Sequence, residues 1–556
     1  MISLKLLQSS LASIFYRKQG DYLNLETSSH NQKFGRIQQK RYASILPEES
    51  FNMSCTLGSS VPMGLVLGVY CDDEDVNADK MKFTDSANKY NHFVKGKLQE
   101  YLKMALPLPR LGQVRLLYGL DTKFNAIAAV GMGTDCIGYN PVEEMDEQKE
   151  VIRIAAAAGA KALQDLTFPR IYVDSFGHAE SSAEGASMGI WLFQENRAER
   201  KQKIMPKIEI FDSTDWIGWQ IGHQKALAQN LARNLMEMPA NILTPSAFAL
   251  QAVDVLTKAG VNVEVKVRNW AKFRDFNAFL SVSSGSSQAP IFLEAFYEGC
   301  ETDIAPAVLV GKGITFDAGG VCLRTCEHMK YMRGDMSGAA AVVAAIRAIS
   351  NLQIPVNVRA LIPLCENMPG AGAYKPGDII KARNGKTIMV QNTSHEGRLI
   401  LADALSYSVM YNPKFIVDIG TLTREIAQVL GSSAAGVFTN SDSLYDMMRI
   451  ASIHTGDRVW RFPLWEYYSE DVRNTELSDV LNVGSSDNFG GACNAAAFLR
   501  EFIPPCVDWM HIDSYGVALA SGKTQPYLRK GMSGRPTRTL IEFLSQLACK
   551  HESCPT

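Results

Sequence analysis

Val390-Gln391-Asn392-Thr393-Ser394-His395-Glu396-Gly397-Arg398-Leu399 is the stretch around which this 556-residue chain is organised. It follows the turn-rich Asn384-Gly385-Lys386 and runs into an apolar, helix-like segment from Ile400 to Leu405. One acid, Glu396, stands beside a glycine and an arginine in a tight loop. The glycine lets backbone approach a ligand closely, and an arginine there suits a carboxylate or another oxyanion. Two more acids lie upstream in glycine-rich settings. Asp317 sits in Lys312-Gly313-Ile314-Thr315-Phe316-Asp317-Ala318-Gly319-Gly320, and Asp335 in Met332-Arg333-Gly334-Asp335-Met336. Three acids and a lysine, far apart in sequence on loop-like segments, read as parts of one metal or acid/base site. Taken singly, Asp317 and Asp335 read as loop caps. Lys312 does not read as a phosphate-loop lysine, because Gly311-Lys312-Gly313 lacks the Gly-x-x-x-x-Gly-Lys-Ser/Thr spacing.

The length allows two or more domains with sizeable cores. Apolar residues make up 46% and charged residues 21%, the profile of a soluble globular protein. A net charge of -2 argues against nucleic-acid and anionic-membrane partners, and no run approaches the ~18 apolar residues of a membrane span. Eleven cysteines form no regular framework. Cys322 and Cys326 are the nearest pair, but no second pair completes a zinc knuckle, so free thiols in a reducing compartment are expected.

In residues 1–43, Lys5, Arg17, Lys18, Lys33, Arg36, Lys40 and Arg41 face only Asp21 and Glu26, and Leu4, Leu7, Leu11 and Phe15 fall at helical spacing. This basic, acid-poor, amphipathic start predicts a mitochondrial presequence cleaved near Arg41-Tyr42-Ala43. Strand-like and helical runs then alternate: strands at Met63 to Val69 and Ala126 to Val130, a helix at Glu150 to Leu163, a strand at Arg170 to Val173. Such alternation predicts a parallel or mixed sheet covered by helices. Glu195 to Lys207 reads as a boundary and Trp219 to Met236 as a long connecting helix. Thr244-Pro245 gives an N-cap followed by proline at the first helical position. Beyond it come strands at Val308 to Val310, Val356 to Pro363, Phe415 to Ile419 and Trp509 to Ile512, and helices at Gly338 to Ile349 and from Thr421. The acids fall at or after strand ends, where α/β sheets place their sites.

The opening stretch, with Leu364-Cys365-Glu366-Asn367-Met368-Pro369, Lys375-Pro376-Gly377-Asp378, Phe489-Gly490-Gly491-Ala492 and Tyr527 through Leu544, resembles the leucyl aminopeptidase (cytosol aminopeptidase) family of two-metal peptidases. The resemblance is dense from about Ala232 to the C-terminus and loose before it. It implies an α/β fold of two domains, a smaller N-terminal α/β domain and a larger C-terminal α/β metallopeptidase domain with a central mixed sheet. Expected boundaries are 1–43 for the presequence, 44–212 for the N-terminal domain, 213–237 for the connecting helix and 238–556 for the metal-binding domain. It also implies peptide substrates and a homohexamer held in part by the N-terminal domain.

For the site, the resemblance implies a first metal position made by Lys312, Asp317, Asp335 and Glu396, with manganese or zinc as the ion. A second position shares acids with the first and adds the aspartate of the family signature Asn-Thr-Asp-Ala-Glu-Gly-Arg-Leu. Here Ser394 stands in that place, with His395 after it, so one tight site and one weakened site are expected. His395 is not expected to rescue the second site, because adjacent side chains of an extended loop point apart. Arg324 stands by spacing where the family has an oxyanion-stabilising lysine, and Arg398 matches the signature arginine, which in the family holds a bicarbonate-like base. Met332, Thr421 and Leu422 match substrate-contacting positions. Tyr515 replaces a small pocket-wall residue; it either narrows the pocket or turns outward. Two readings follow: a working metallo-aminopeptidase, or a strongly impaired protein with a structural role in mitochondria or sperm, as in the diverged sperm-abundant insect members. If the missing carboxylate is the main defect, Ser394→Asp by itself is expected to restore the second ion.

Overall fold

The computed structural model describes residues 61–71, 81–135, 137–301, 304–485 and 490–552. The expected presequence, its cleavage point and Phe489 lie outside the described residues.

Strand β1 (Met63–Tyr70) is a near-continuous apolar run, buried along its middle, as a strand covered on both faces requires. Its alternate residues serve two cores: Val66 enters one, while Leu65, Leu67 and Val69 enter the other. It is the middle of a six-stranded mixed sheet. β2 (Val114–Leu117) runs antiparallel to β3 (Ala126–Gly131), and β3, β1, β4 (Arg170–Asp174) and β5 (Lys207–Phe211) are parallel. Helices α1 (Glu147–Asp165) and α2 (Ala179–Ile190) lie on one face. They pack closely through small residues: a Cβ on Gly185 would lie 2.3 Å from the Arg153 carbonyl oxygen.

The 22-residue helix α3 (Trp216–Glu237) ties this domain to the next. Lys225 on α3 lies 2.5 Å from Glu180 of α2 and 2.5 Å from Glu542 of the C-terminal helix. Arg233, fully buried, donates to the carbonyls of Met188, Tyr527 and Ser533. Helix α4 (Pro245–Lys258) starts as its sequence predicts, with Thr244 Oγ1 accepting from Ala247 N and proline in the first turn.

The second domain is built on a nine-stranded mixed sheet. β6 (Asn262–Val267) and β7 (Ile291–Glu298) form its antiparallel edge. β8 (Ala307–Gly311) and the short β9 (Gly313–Asp317) both run parallel to β10 (Asn357–Asn367). β11 (Phe415–Gly420), β12 (Ala435–Thr439), β13 (Val459–Arg461) and β14 (Trp509–Asp513) complete it, in the order β13-β12-β14-β11-β8-β10-β7-β6. Along β8, Ala307 and Leu309 face one core, and Val308 and Val310 the other. Helix α5 (Ser337–Asn351) is apolar nearly all round and buried on one side of the sheet, as an alanine-rich helix in the middle of a large core should be. Helix α6 (Gly397–Ser408) lies in the core on the opposite side. Helices α7 (Asp442–Thr455) and α8 (Thr537–Glu552) close the α5 side. Among the described residues, no helix is long and apolar enough to cross a membrane.

Candidate metal centre

The C-terminal ends of parallel strands β8 and β11 open where α5 and α6 begin, and the functional side chains collect there. Lys312 follows β8 directly. Its backbone is clamped between strand and helix, donating to Ile419 O and accepting from Ala339 N, both at 2.9 Å. Gly338 permits this: a Cβ there would lie 2.0 Å from Ile419 O. Asp317 ends β9, Asp335 precedes α5, and Glu396 precedes the first residue of α6. All four side chains are buried.

Lys312 Nζ lies 2.8 Å from Asp335 Oδ1, 2.9 Å from Thr421 O and 2.8 Å from Glu396 Oε1. One oxygen from each of Asp317, Asp335 and Glu396 falls within 4.8 Å of the other two. Three buried carboxylates in so small a space repel one another. Burial and the Glu396 charge push Asp317 up to about 6. Burial likewise lifts Asp335 well above the ordinary carboxylate range. Burial works against Glu396 too, but Lys312 and then Arg324 hold it down to about 2. For Lys312, burial disfavours the charge, yet the three acids outweigh it and keep the ammonium protonated.

Glu396 Oε2 is buried without a hydrogen bond, and Asp335 Oδ2 and Glu396 Oε1 have only the shared Lys312 ammonium, each at 2.8 Å. Native structures rarely strand such atoms. Oxygen lone pairs on three convergent carboxylates, beside an amine that becomes a ligand on losing its proton, are the donors a zinc- or manganese-type ion takes. The residues present fit such an ion.

A second ring of polar groups fixes these ligands. Asn367 Nδ2 donates to Asp317 Oδ1 at 2.8 Å and to Thr393 O at 3.0 Å. Gly319 N donates to the same Asp317 oxygen at 2.7 Å, and Thr421 Oγ1 to Asp335 Oδ1 at 2.6 Å. Thr393 Oγ1 donates to Gly319 O, and Tyr374 to Thr393 O. Asn482 steers the opening loop: its Oδ1 accepts from Gln391 N at 2.7 Å and its Nδ2 donates to Asn392 O at 2.8 Å. Asp513 at the end of β14 accepts from Leu422 N, Thr423 N and Thr423 Oγ1. Asn367, Tyr374, Asn482 and Asp513 carry no roles in the sequence reading, since nothing in their local spacing marks them.

Ser394 donates its hydroxyl to Asn392. Its Oγ and its backbone N each lie 2.8 Å from Asn392 Oδ1, an Asx-type turn. Its carbonyl accepts from Arg324 Nη2 at 2.8 Å. Arg324 Nε donates to Asp317 Oδ2 at 2.5 Å, and Nη2 also pairs with that oxygen and lies 3.7 Å from Glu396 Oε2. Arg398 is buried, donating to Asn482 O at 2.6 Å and meeting His395 Nδ1 at 3.0 Å. Burial lowers Arg398 to about 10, and burial with the Arg398 charge lowers His395 to about 3. His395 is thus a neutral acceptor for Arg398. Met332 is buried in the turn before Asp335, and Leu422 packs beside Gly397. Tyr515 is half-buried, and besides burial its hydroxyl feels Arg324, Asp335, Arg424 and Lys312.

Residues 230–541 match the profile described as the cytosol aminopeptidase family, catalytic domain, and residues 66–200 its N-terminal domain. The chain belongs to the cytosol aminopeptidase family. It is 45% identical over 510 residues to the cytosol aminopeptidase of Xenopus tropicalis, covering 90% of this chain and 97% of that one. It is 46% identical over 484 residues to the cytosol aminopeptidase of Bos taurus, covering 86% and 92%. Among solved structures, the bottromycin maturation enzyme BotP in complex with Mn superposes with a TM-score of 0.74 at 27% identity, covering 88% of this chain and 100% of that one. The family's two-domain architecture, catalytic domain last, is the one described above, and the buried carboxylate cluster lies within the family's catalytic domain.

Proposed function

We propose that this chain is a metallo-aminopeptidase of peptides in which hydrolysis is strongly impaired, with one divalent ion held tightly and a second position weakened. Lys312, Asp317, Asp335 and Glu396 hold the tight ion. Such an ion, when bound, polarises a peptide carbonyl as a Lewis acid. Arg398 is kept rigid by Asn482 and His395, where it can orient an anion or a substrate carboxylate. Met332, Thr421, Leu422 and Tyr515 line the substrate side. The observation that carries the impaired reading is Ser394: its hydroxyl is spent on Asn392, so the signature position supplies no carboxylate to a second ion.

The test is kcat/KM on a leucyl peptide with saturating manganese or zinc. The expected value is on the order of a hundredfold or more below that of a family member with the full signature. Family-like turnover would overturn impairment and establish the second reading, an active manganese- or zinc-dependent leucyl aminopeptidase of peptide turnover. That reading is favoured by the intact convergence of Lys312, Asp317, Asp335 and Glu396.

The impaired reading includes a structural role in mitochondria or sperm; the basic, acid-poor start of the sequence supports mitochondrial import, and the departures at Ser394, Arg324 and Tyr515 support the likeness to the sperm-abundant members. Mass spectrometry of the native protein is expected to find a mature N-terminus near Ala43, and an intact Met1 in cytosolic fractions would exclude import. A homohexamer is proposed from family membership, to be checked by light scattering.

A further inference from the structure

A single nitrogen, Arg324 Nη2, meets three oxygens from three separate segments. It pairs with Asp317 Oδ2, donates to Ser394 O at 2.8 Å and lies 3.7 Å from Glu396 Oε2. Two carboxylates and a backbone carbonyl converging on one point form the donor set of a hard divalent cation. We infer that the Arg324 guanidinium is a resident cation of this centre, standing where a second divalent ion would bind and restricting the chain to one. The inference rests on reading Lys312, Asp317, Asp335 and Glu396 as ligands of the first ion.

The loop is built to deliver this side chain. Gly319 and Gly320 have φ of 93° and 64°, values that glycine adopts at little cost. A Cβ on Gly319 would lie 3.0 Å from Arg324 N and 3.1 Å from its Cγ. Arg324 N then donates to Ala318 O at 2.9 Å, closing the loop on itself. The Asx turn at Asn392 leaves the carbonyl of Ser394, and not its side chain, as the group presented to the guanidinium.

Charge balance agrees. The cluster holds three buried carboxylates. With Lys312 neutral, as a ligating amine must be, Arg324 leaves two negative charges, the charge of one divalent ion. A second divalent ion beside a retained guanidinium would leave two uncompensated positive charges in a buried site, which is strongly unfavourable. A lysine in this place could shed its proton to make room, whereas a guanidinium cannot. A second ion therefore requires Arg324 to leave the site, and this reverses the expectation from residue types that Ser394→Asp is sufficient.

The test uses the full chain dialysed against Mn2+ alone, with ions per chain measured by elemental analysis and the state of the manganese by electron paramagnetic resonance. One ion with an isolated Mn2+ spectrum is expected for the unmodified protein and for Ser394→Asp. Two ions with an exchange-coupled spectrum are expected for Arg324→Ala/Ser394→Asp. Arg324→Met/Ser394→Asp, which keeps most of the stem's bulk, gives the same reading if the alanine variant does not fold. A second ion in Ser394→Asp, or a single ion in both double variants, overturns the inference while leaving the ligand assignment standing. No firmly held ion in the unmodified protein overturns the ligand assignment, and the inference with it.

Discussion

A Cβ placed on Gly397 would lie 2.4 Å from Lys312 Cε and 2.7 Å from Lys312 Nζ. The glycine of the opening loop and a lysine from a distant segment are thus fitted to one another, and Lys312 can approach Glu396 only because residue 397 has no side chain. Gly397→Ala must push Lys312 aside, and the other wall is also tight, since a Cβ on Gly420 would lie 3.0 Å from Lys312 Cβ. The variant is expected to fold with a loss of ~1–3 kcal/mol from overpacking and to bind the tight ion at least ~10-fold more weakly. Calorimetric titration with Zn2+ checks it; unchanged affinity contradicts the proposed role of Lys312.

Asn367 holds Asp317 and the Thr393 carbonyl with one amide group. Asn367→Ala removes both donations and leaves Asp317 Oδ1 with the Gly319 N–H alone, while Oδ2 keeps Arg324. Metal affinity is expected to fall ~10–100-fold, the usual effect of losing a ligand's outer partner. Asn367→Asp should not rescue it, because a fourth carboxylate adds repulsion. Equal affinity in all three proteins would show that Asp317 is fixed by other contacts.

The junction between the domains is a buried ionic network, and its sign with pH can be worked out. Burial opposes the charge of Glu184, but Arg538, Arg153 and Lys225 hold its carboxyl down to about 2. An unfolded glutamate titrates near ~4.3, so this contribution is complete above that pH and is lost as pH falls towards the folded value. His178 and His454 are lowered, chiefly by burial. Each accepts through Nδ1, from Ser181 N and beside Lys149 Nζ respectively. Their contribution is complete above ~6.5 and declines below it. The contribution of these three groups to Tm is therefore expected to fall gently below about pH 6.5 and steeply below about pH 4.3, against the opposite trend of the raised Asp317 and Asp335. Glu184→Gln should cost ~3–5 kcal/mol at neutral pH by removing the buried carboxylate that Arg153 and Arg538 share, and should flatten the acid limb. Scanning calorimetry of both proteins across this range decides it, and an identical pH dependence of Tm in Glu184→Gln and the unmodified chain would contradict the network's role.

Tyr515 follows the end of β14, and the reading in which its ring narrows the pocket is testable. Tyr515→Ala is expected to tighten L-leucine binding to the manganese-loaded chain by ~10-fold or more, with ions per chain unchanged. An unaltered leucine affinity would place the ring off the substrate's path.

The order of residues alone determined the layered α/β scheme. Apolar runs such as Met63 to Val69 and Val308 to Val310 have no polar face, so only a sheet covered on both sides can hold them. The helix at Gly338 to Ile349 and the Thr244-Pro245 helix start were equally legible, because alanine packing and capping are local properties. The family, too, was legible, from contiguous motifs. The helix expected from Thr421 begins instead at Arg424. Thr421 is drawn to Lys312 and Asp335, and the distant Asp513, not a neighbour in sequence, takes the backbone N–H groups of Leu422 and Thr423. Only the tertiary structure decided which atoms face the centre. Ser394 presents its carbonyl because Asn392 holds its hydroxyl, and Arg324 reaches Asp317, Ser394 and Glu396 because a glycine loop folds it inward. Residue types set what charges a site contains; the direction of each donor depends on contacts between segments up to 109 positions apart, Lys312 to Thr421, and no local spacing encodes those.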